Sequence, residues 1–317
     1  MRTLAIMRER SICFHSRHSF WHHSGCAWVR TITLTSLAMA AFASNSILCR
    51  LALGKTTIDP ASFTSVRLIS GALVLFLLLG GQSVKRGVKV GGPGSWVSAA
   101  MLFLYAVAFS FAYVRLQIGT GSLILFGAVQ ATMIVTALCR GERPVLLEYI
   151  GLAAALAGLT YLVFPGLQAP SPVGAVLMAS AGAAWGVYTL RGRGAVNPAA
   201  VTADNFRRSV PFVLIVSMVL LRDAHISVQG MLLAAISGGL TSALGYVIWY
   251  AVLPDLSTTQ AALVQLVVPV LAAGGGILFL AESLSMRLVL SAVMILGGIA
   301  LAITSPKRAA VQPPSPR

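Results

Sequence analysis

Acidic residues are nearly missing from this sequence. Asp and Glu together number 8 in 317 residues, against 23 Lys and Arg, and charged residues make up only 10% of the chain. Soluble globular chains carry about 25%, so a soluble enzyme or binding domain of this size is excluded. Disorder is excluded too, because 57% of the residues are hydrophobic and the mean hydropathy is +0.86. Cysteine is sparse: Cys13, Cys26, Cys49 and Cys139 imply no disulfide framework. Histidine is absent from every long apolar run, which removes a Ser–His hydrolase and an intramembrane histidine metal site. No paired acids stand where magnesium could hold a diphosphate. No phosphate-binding glycine loop is present, so ATP is not the direct fuel. No enzyme activity, no metal and no cofactor are expected.

What the chain has instead is apolar length. A bilayer-spanning helix needs about 20 mostly apolar residues. Ten stretches qualify: 31–52, 61–80, 95–114, 120–139, 146–164, 173–190, 201–221, 230–252, 257–280 and 286–304. Backbone exposed to lipid must satisfy its own hydrogen bonds, which leaves helices or closed barrels. No alternating strands of barrel type occur. The fold expected is an all-α integral membrane protein with ten transmembrane helices.

The net charge of +15 would suggest nucleic acid in a soluble domain. Here the basic residues lie in short segments between apolar runs, and no nucleic-acid partner is expected. With the N-terminus inside, one side of the membrane receives Arg2, Arg8, Arg10, Arg17, Arg30, Lys85, Arg86, Lys89, Arg140, Arg143, Arg191, Arg193, Lys307, Arg308 and Arg317. The other receives Lys55, Arg115, Arg222 and Arg287. The positive-inside bias places both termini in the cytoplasm of a multi-pass cell-membrane protein.

Residues 1–30 read as a basic disordered tail. His15, His18, His22 and His23 with Cys13 and Cys26 fit no tight zinc spacing. The segment from Val29 also reads as an alternative start. Ala41-Phe42-Ala43 resembles a signal-peptidase site, read here as uncleaved. Residues 305–317 read as a second cytoplasmic tail.

The halves resemble each other at an offset of 140: Leu123 with Leu263, Leu138 with Leu278, Glu142 with Glu282, Leu156 with Leu296, Gly158 with Gly298. Asp59-Pro60 likewise parallels Asn197-Pro198. The glutamate pair weighs most, because acids are so few. Two units follow, 31–164 and 173–304, each of five spans. An odd number of spans inverts the second unit, an arrangement typical of secondary transporters with a substrate site between the halves.

Several polar residues then ask for a role. Arg67 lies about 9 Å into its span at 1.5 Å per residue. It either snorkels or pairs structurally, or it holds a substrate carboxylate. Asp204 and Arg208 are spaced for an ion pair on one helix face, which leaves Asn205 pointing elsewhere. Trp185, Tyr246 and Trp249 lie deep enough to stack on a substrate or to pack, whereas Tyr113, Tyr188 and Tyr250 read as interface aromatics. Gln130, Gln265 and Asn45 lie within spans and need partners, from a neighbouring helix or a substrate. Glu142 and Glu282 read as structural anchors near helix starts. Pro211 and Pro269 interrupt spans. Gly182/Gly186 and Ser237/Thr241/Gly245 read as close helix contacts.

Certain stretches are familiar: Pro60 to Arg67, Ala183-Ala184-Trp185-Gly186-Val187-Tyr188, Gly245-Tyr246-Val247-Ile248-Trp249, and Ala261-Ala262-Leu263 through Pro269-Val270 to Leu280-Ala281-Glu282-Ser283-Leu284-Ser285. Gly141-Glu142-Arg143-Pro144 is the counterpart of the last in the first half. Over 31–304 the chain resembles the drug/metabolite transporter superfamily in its EamA branch. Ala281 departs from it, where a glycine is common. The resemblance implies ten helices in two inverted five-helix repeats, both termini cytoplasmic, and export of small metabolites or toxic compounds. Amino acids or related compounds are the expected substrates, with membrane lipids as the other partner. Efflux of hydrophobic drugs or organic cations is the alternative, and a non-transporting receptor or assembly protein is a further one. The oligomeric state stays open.

Overall fold

The computed structural model describes residues 20–55, 57–86, 94–139, 145–164, 169–193, 195, 197–256 and 264–304. Helices account for nearly all of them: α1 (Phe20–Gly54), α2 (Pro60–Arg86), α3 (Trp96–Tyr113), α4 (Ile118–Cys139), α5 (Leu146–Val163), α6 (Pro172–Gly192) and α7 (Pro198–Val219). Then come α8 (Val228–Ile236), a π-helical segment (Ser237–Leu244) and α9 (Gly245–Val252), which form one continuous rod, followed by α10 (Val267–Leu280) and α11 (Met286–Thr304). Among the described residues six helical stretches are long and apolar enough to cross a membrane: Val29–Gly54, Pro60–Leu79, Trp96–Tyr113, Ile118–Thr136, Pro172–Gly192 and Val228–Asp255. Leu146–Leu162, Val267–Leu280 and Met286–Leu301 are apolar but shorter. The chain is an all-helical, multi-pass membrane protein.

Helix starts follow local chemistry. Asp59 and Asn197 each accept a backbone N–H three residues on, at Ser62 (2.8 Å) and Ala200 (3.2 Å), and each is followed by proline. Proline suits a first helical position because its missing N–H would be unpaired there anyway. Ser171 and Ser227 cap α6 and α8 in the same way, and Ser285 receives the N–H of Leu288 ahead of α11.

Two expected boundaries move. α1 begins at Phe20, so residues 20–30 are helical where a disordered tail was expected; no proline interrupts them. The rest of the tail, the histidine and cysteine side chains there, and residues 305–317 lie outside the described residues. The span expected over 257–280 is helical at Val264 and Gln265, is interrupted at Leu266 and resumes as α10. Pro269 has no N–H to give the Gln265 carbonyl four residues back, so the expected interruption by this proline is what the break shows.

Helices pair where small residues let them close. α6 lies against α4, with Gly182 facing the Leu125 carbonyl and Gly186 facing Thr132. α5 lies against α11, with Gly298 on the Gly151 carbonyl and Gly158 on Met294. α2 packs on α7 and on the π segment, α3 on α6, and α1 on α9 and α10.

One end of the bundle is held by Asp59. It accepts the His225 N–H (3.1 Å), and Asp59 N–H donates to the His225 carbonyl (3.1 Å). Burial pushes the Asp59 carboxyl up, but hydrogen bonds from Ser62 and His225 outweigh it and hold the group below its ordinary value. A lowered carboxylate contributes stability that is complete above the unfolded value and is lost as pH falls through the folded one. Asp59→Ala is expected to cost about 1 kcal/mol at pH 7, as lost caps do. Thermal unfolding of both proteins along a falling pH series should show the gap between them closing.

α10 ends at Ala281, whose φ of 53° is left-handed; Glu282 N–H then bonds back to the Gly276 carbonyl (3.1 Å). Left-handed backbone costs a non-glycine residue about 1–2 kcal/mol. Ala281→Gly is therefore expected to stabilise the protein by about 1 kcal/mol, read as a higher Tm in detergent.

Candidate functional site

The candidate site is built around Arg67 on α2. Four helical elements converge there, and its side chain is only 1% exposed. The guanidinium lies over the rings of Tyr105 and Phe109 on α3, with its carbon 5.2 and 5.0 Å from their centroids. Nε donates to the Ser242 hydroxyl (3.1 Å) and Nη2 to the Tyr105 hydroxyl (3.1 Å). Nη1 has no hydrogen-bond partner, and no acid among the described residues forms an ion pair with Arg67.

The π segment makes this possible. A π turn widens the helix and often marks a functional position. Gly238 on it lies so close to α2 that a Cβ would overlap the Arg67 carbonyl and the Ser70 hydroxyl. That closeness brings Ser242 to Arg67. It also aims Ser237 and Thr241 at the Asn45 side-chain oxygen on α1. The Asn45 amide nitrogen in turn donates to the Tyr105 hydroxyl (3.2 Å). Hydroxyls and one amide from three elements thus form one connected network around the buried cation of α2.

Aromatic rings make the other wall. Trp185 on α6 sits 5.1 Å from Tyr105 and 4.7 Å from Tyr246, and it stacks on Tyr188 at 5.5 Å. Phe42 meets Trp185, Tyr246 and Trp249 edge-on. The Trp249 indole N–H is buried without a hydrogen-bond partner. Tyr188, Tyr113 and Tyr250, expected at the membrane interface, are all buried instead. Tyr188 joins this cluster, Tyr113 packs edge-on against Phe109 (4.7 Å), and Tyr250 lies against Gly192. All three do lie at or within about a turn of a helix end, but their side chains face the bundle interior rather than lipid.

Of the sequence candidates, Arg67, Asn45, Trp185, Tyr246 and Trp249 come together. Gln130, Asn205 and Gln265 have other surroundings. Gln130 faces α5 and α11, in an apolar cavity of about 20 Å3, room for about one water molecule. Asn205 accepts the Ser95 N–H (3.1 Å) at the start of α3, beside Asp204, which accepts that of Gly94 (3.0 Å). Asp204 pairs with Arg208 (2.9 Å) and also with Arg207 (2.6 Å), a second partner the spacing did not suggest. Gln265 is buried just ahead of α10. Glu142 lies outside the described residues. Glu282 does not cap the helix that follows it. It accepts the Ile118 N–H at the start of α4 (2.8 Å) and meets Arg50 of α1 (3.4 Å), tying the α10–α11 turn to the first half.

Sequence reasoning gave no site role to Tyr105, Ser242, Ser237 or Thr241. The signal was present in the run of small and hydroxylated residues over 237–242, but such runs usually mean close packing.

Comparison with known proteins places this geometry. Residues 172–304 match the model of the EamA-like transporter family. An uncharacterized protein of Pseudomonas aeruginosa is 49% identical over 272 residues, 86% of this chain and 94% of that protein. A solved crystal structure superposes with a TM-score of 0.59 at 18% identity, covering 84% of this chain and 97% of its own. That last likeness is one of fold alone.

Proposed function

Because the chain belongs to the EamA-like transporter family, a family of membrane transporters, we propose that it exports small organic metabolites bearing a carboxylate, amino acids or related compounds, by alternating access. The observation that carries this reading is Arg67: a buried guanidinium with one nitrogen unpartnered and, among the described residues, no acid paired with it. An uncompensated buried charge is a liability that a structural role does not require. A bound carboxylate would remove it, through the paired hydrogen bonds guanidinium favours. An organic cation would meet repulsion at the same place.

The wider architecture belongs to the same proposal: ten transmembrane helices in two inverted repeats, both termini cytoplasmic, and no enzymatic step. Helix pairing supports the repeat. The contacts of α3 with α6 and α7 have counterparts in those of the α8–α9 rod with α1 and α2. α2 meets α7 and α5 meets α11, each helix packing on its own equivalent. Substrate would enter where the aromatic wall parts as one half rocks against the other.

The test is counterflow. Purified protein in liposomes is loaded with unlabelled amino acids, other organic acids or organic cations, and uptake of label is followed. Accumulation driven by carboxylates supports the reading. Accumulation driven only by cations, or binding without movement, overturns it.

A further inference from the structure

The Asn45 amide links the π segment to Tyr105. Ser237 donates to the Asn45 side-chain oxygen, whereas Thr241 gives its one proton to the Ser237 carbonyl (2.9 Å); the other end of the amide is its NH2 group. That NH2 donates to the Tyr105 hydroxyl at 3.2 Å, and Arg67 Nη2 donates to the same oxygen at 3.1 Å. A phenol oxygen that accepts twice keeps one capacity, its own proton as donor. Arg67 Nη1 is likewise a donor without an acceptor. The Tyr246 hydroxyl is buried beside that of Tyr105, and whichever of the two phenols donates to the other, one phenol proton is left over. The spare capacity at the centre is therefore donor capacity, and its only formal charge among the described residues is +1.

We infer that the carried species is a carboxylate of net charge −1, clamped by Arg67 and the Tyr105 hydroxyl, with Asn45 as the positioning residue that turns that hydroxyl towards it. This rests on the carboxylate-carrier reading and narrows its substrates from amino acids to related acids that lack the ammonium group. A monoanion neutralises the guanidinium. A zwitterionic amino acid leaves one positive charge over, and its ammonium finds no acidic partner at the site, so it pays desolvation without a counter-charge. The rings of Trp185 and Tyr246 hold the apolar body of the substrate.

Charge-matched triads test this by competition in counterflow at pH 7. One triad is 3-phenylpropanoate, phenylalanine and phenethylamine, which share a ring and chain and carry −1, 0 and +1. A second uses the corresponding isobutyl compounds. In any triad that is recognised, the acid is expected to compete at least tenfold better than the amino acid, and the amine not at all. Tyr105→Phe keeps the ring and its contacts. It should raise KM for the acid about tenfold and leave kcat within about twofold, in protein whose Tm and elution match wild type. Asn45→Ala should move KM the same way by a smaller factor.

Amino acids competing as well as or better than the matched acids would overturn the inference and leave the carboxylate carrier standing. An unchanged KM in Tyr105→Phe would overturn the clamp. Recognition of the amines alone, or of no member of either triad, would overturn the inference and the carrier reading together.

Discussion

Arg67→Met is expected to give a folded protein at least as stable as wild type that has lost carboxylate transport by about 100-fold or more. The two halves of this result have one cause. Arg67 is buried, keeps one nitrogen unpartnered and faces no acid among the described residues. Its desolvation opposes folding, and the hydroxyls of Ser242 and Tyr105 with the ring faces of Tyr105 and Phe109, all neutral, offset only part of it. Replacing buried charge by an apolar side chain of similar volume is often neutral or stabilising by about 1–4 kcal/mol. Ser242 and Tyr105 lose one partner each, which trims that gain. Removing one member of a buried charged pair costs binding about 2–5 kcal/mol, and each 1.4 kcal/mol is tenfold. Thermal unfolding in detergent and counterflow in liposomes read the two halves separately. A variant that is much less stable yet still transports would make the arginine a structural element.

Gly238→Val is expected to prevent folding, or to lower stability by about 3 kcal/mol or more. A Cβ at this position would overlap the Arg67 carbonyl, which is backbone and cannot swing away, as well as the Ser70 hydroxyl. The π segment would have to withdraw from α2, and overpacking that forces backbone movement costs about 1–3 kcal/mol or more. Withdrawal would also take Ser242 from Arg67 and loosen the contact of Ser237 with Asn45. Gly274→Val, at a position with nothing within 4 Å, serves as the matched control and should fold with a change within about 0.5 kcal/mol, as surface substitutions usually do. The readouts are the yield of monodisperse protein and its Tm.

Much of the fold was readable because lipid imposes a simple rule: long apolar runs become helices. The spans expected from 61, 173 and 201 begin at Pro60, Pro172 and Pro198, each directly after a capping residue. The break at Leu266 does not register in hydropathy, since apolar content stays high across it; only Pro269, one turn on, marks it. The site was half legible. Arg67 drew attention as a charge within lipid, and the deep aromatics as large polar-tipped rings. Gln130 drew the same attention, yet it points into a small apolar cavity away from Arg67, because position along a helix does not give rotation about it. Tyr105 was passed over for the opposite reason. Its importance comes from the two donors that reach its oxygen, Asn45 and Arg67, which are far away in sequence.

The central claim is that a substrate carboxylate rests on Arg67. Solid-state NMR in bilayers measures this directly, with a 13C-carboxylate on 3-phenylpropanoate and 15N on the arginine guanidinium groups. A paired hydrogen bond brings N to O within about 2.9 Å, so dipolar transfer between the labelled carbon and a guanidinium nitrogen should be strong in wild type at saturating ligand. It should vanish in Arg67→Met. Transfer that persists in Arg67→Met, or none in wild type with ligand bound, would place the carboxylate elsewhere and contradict the claim.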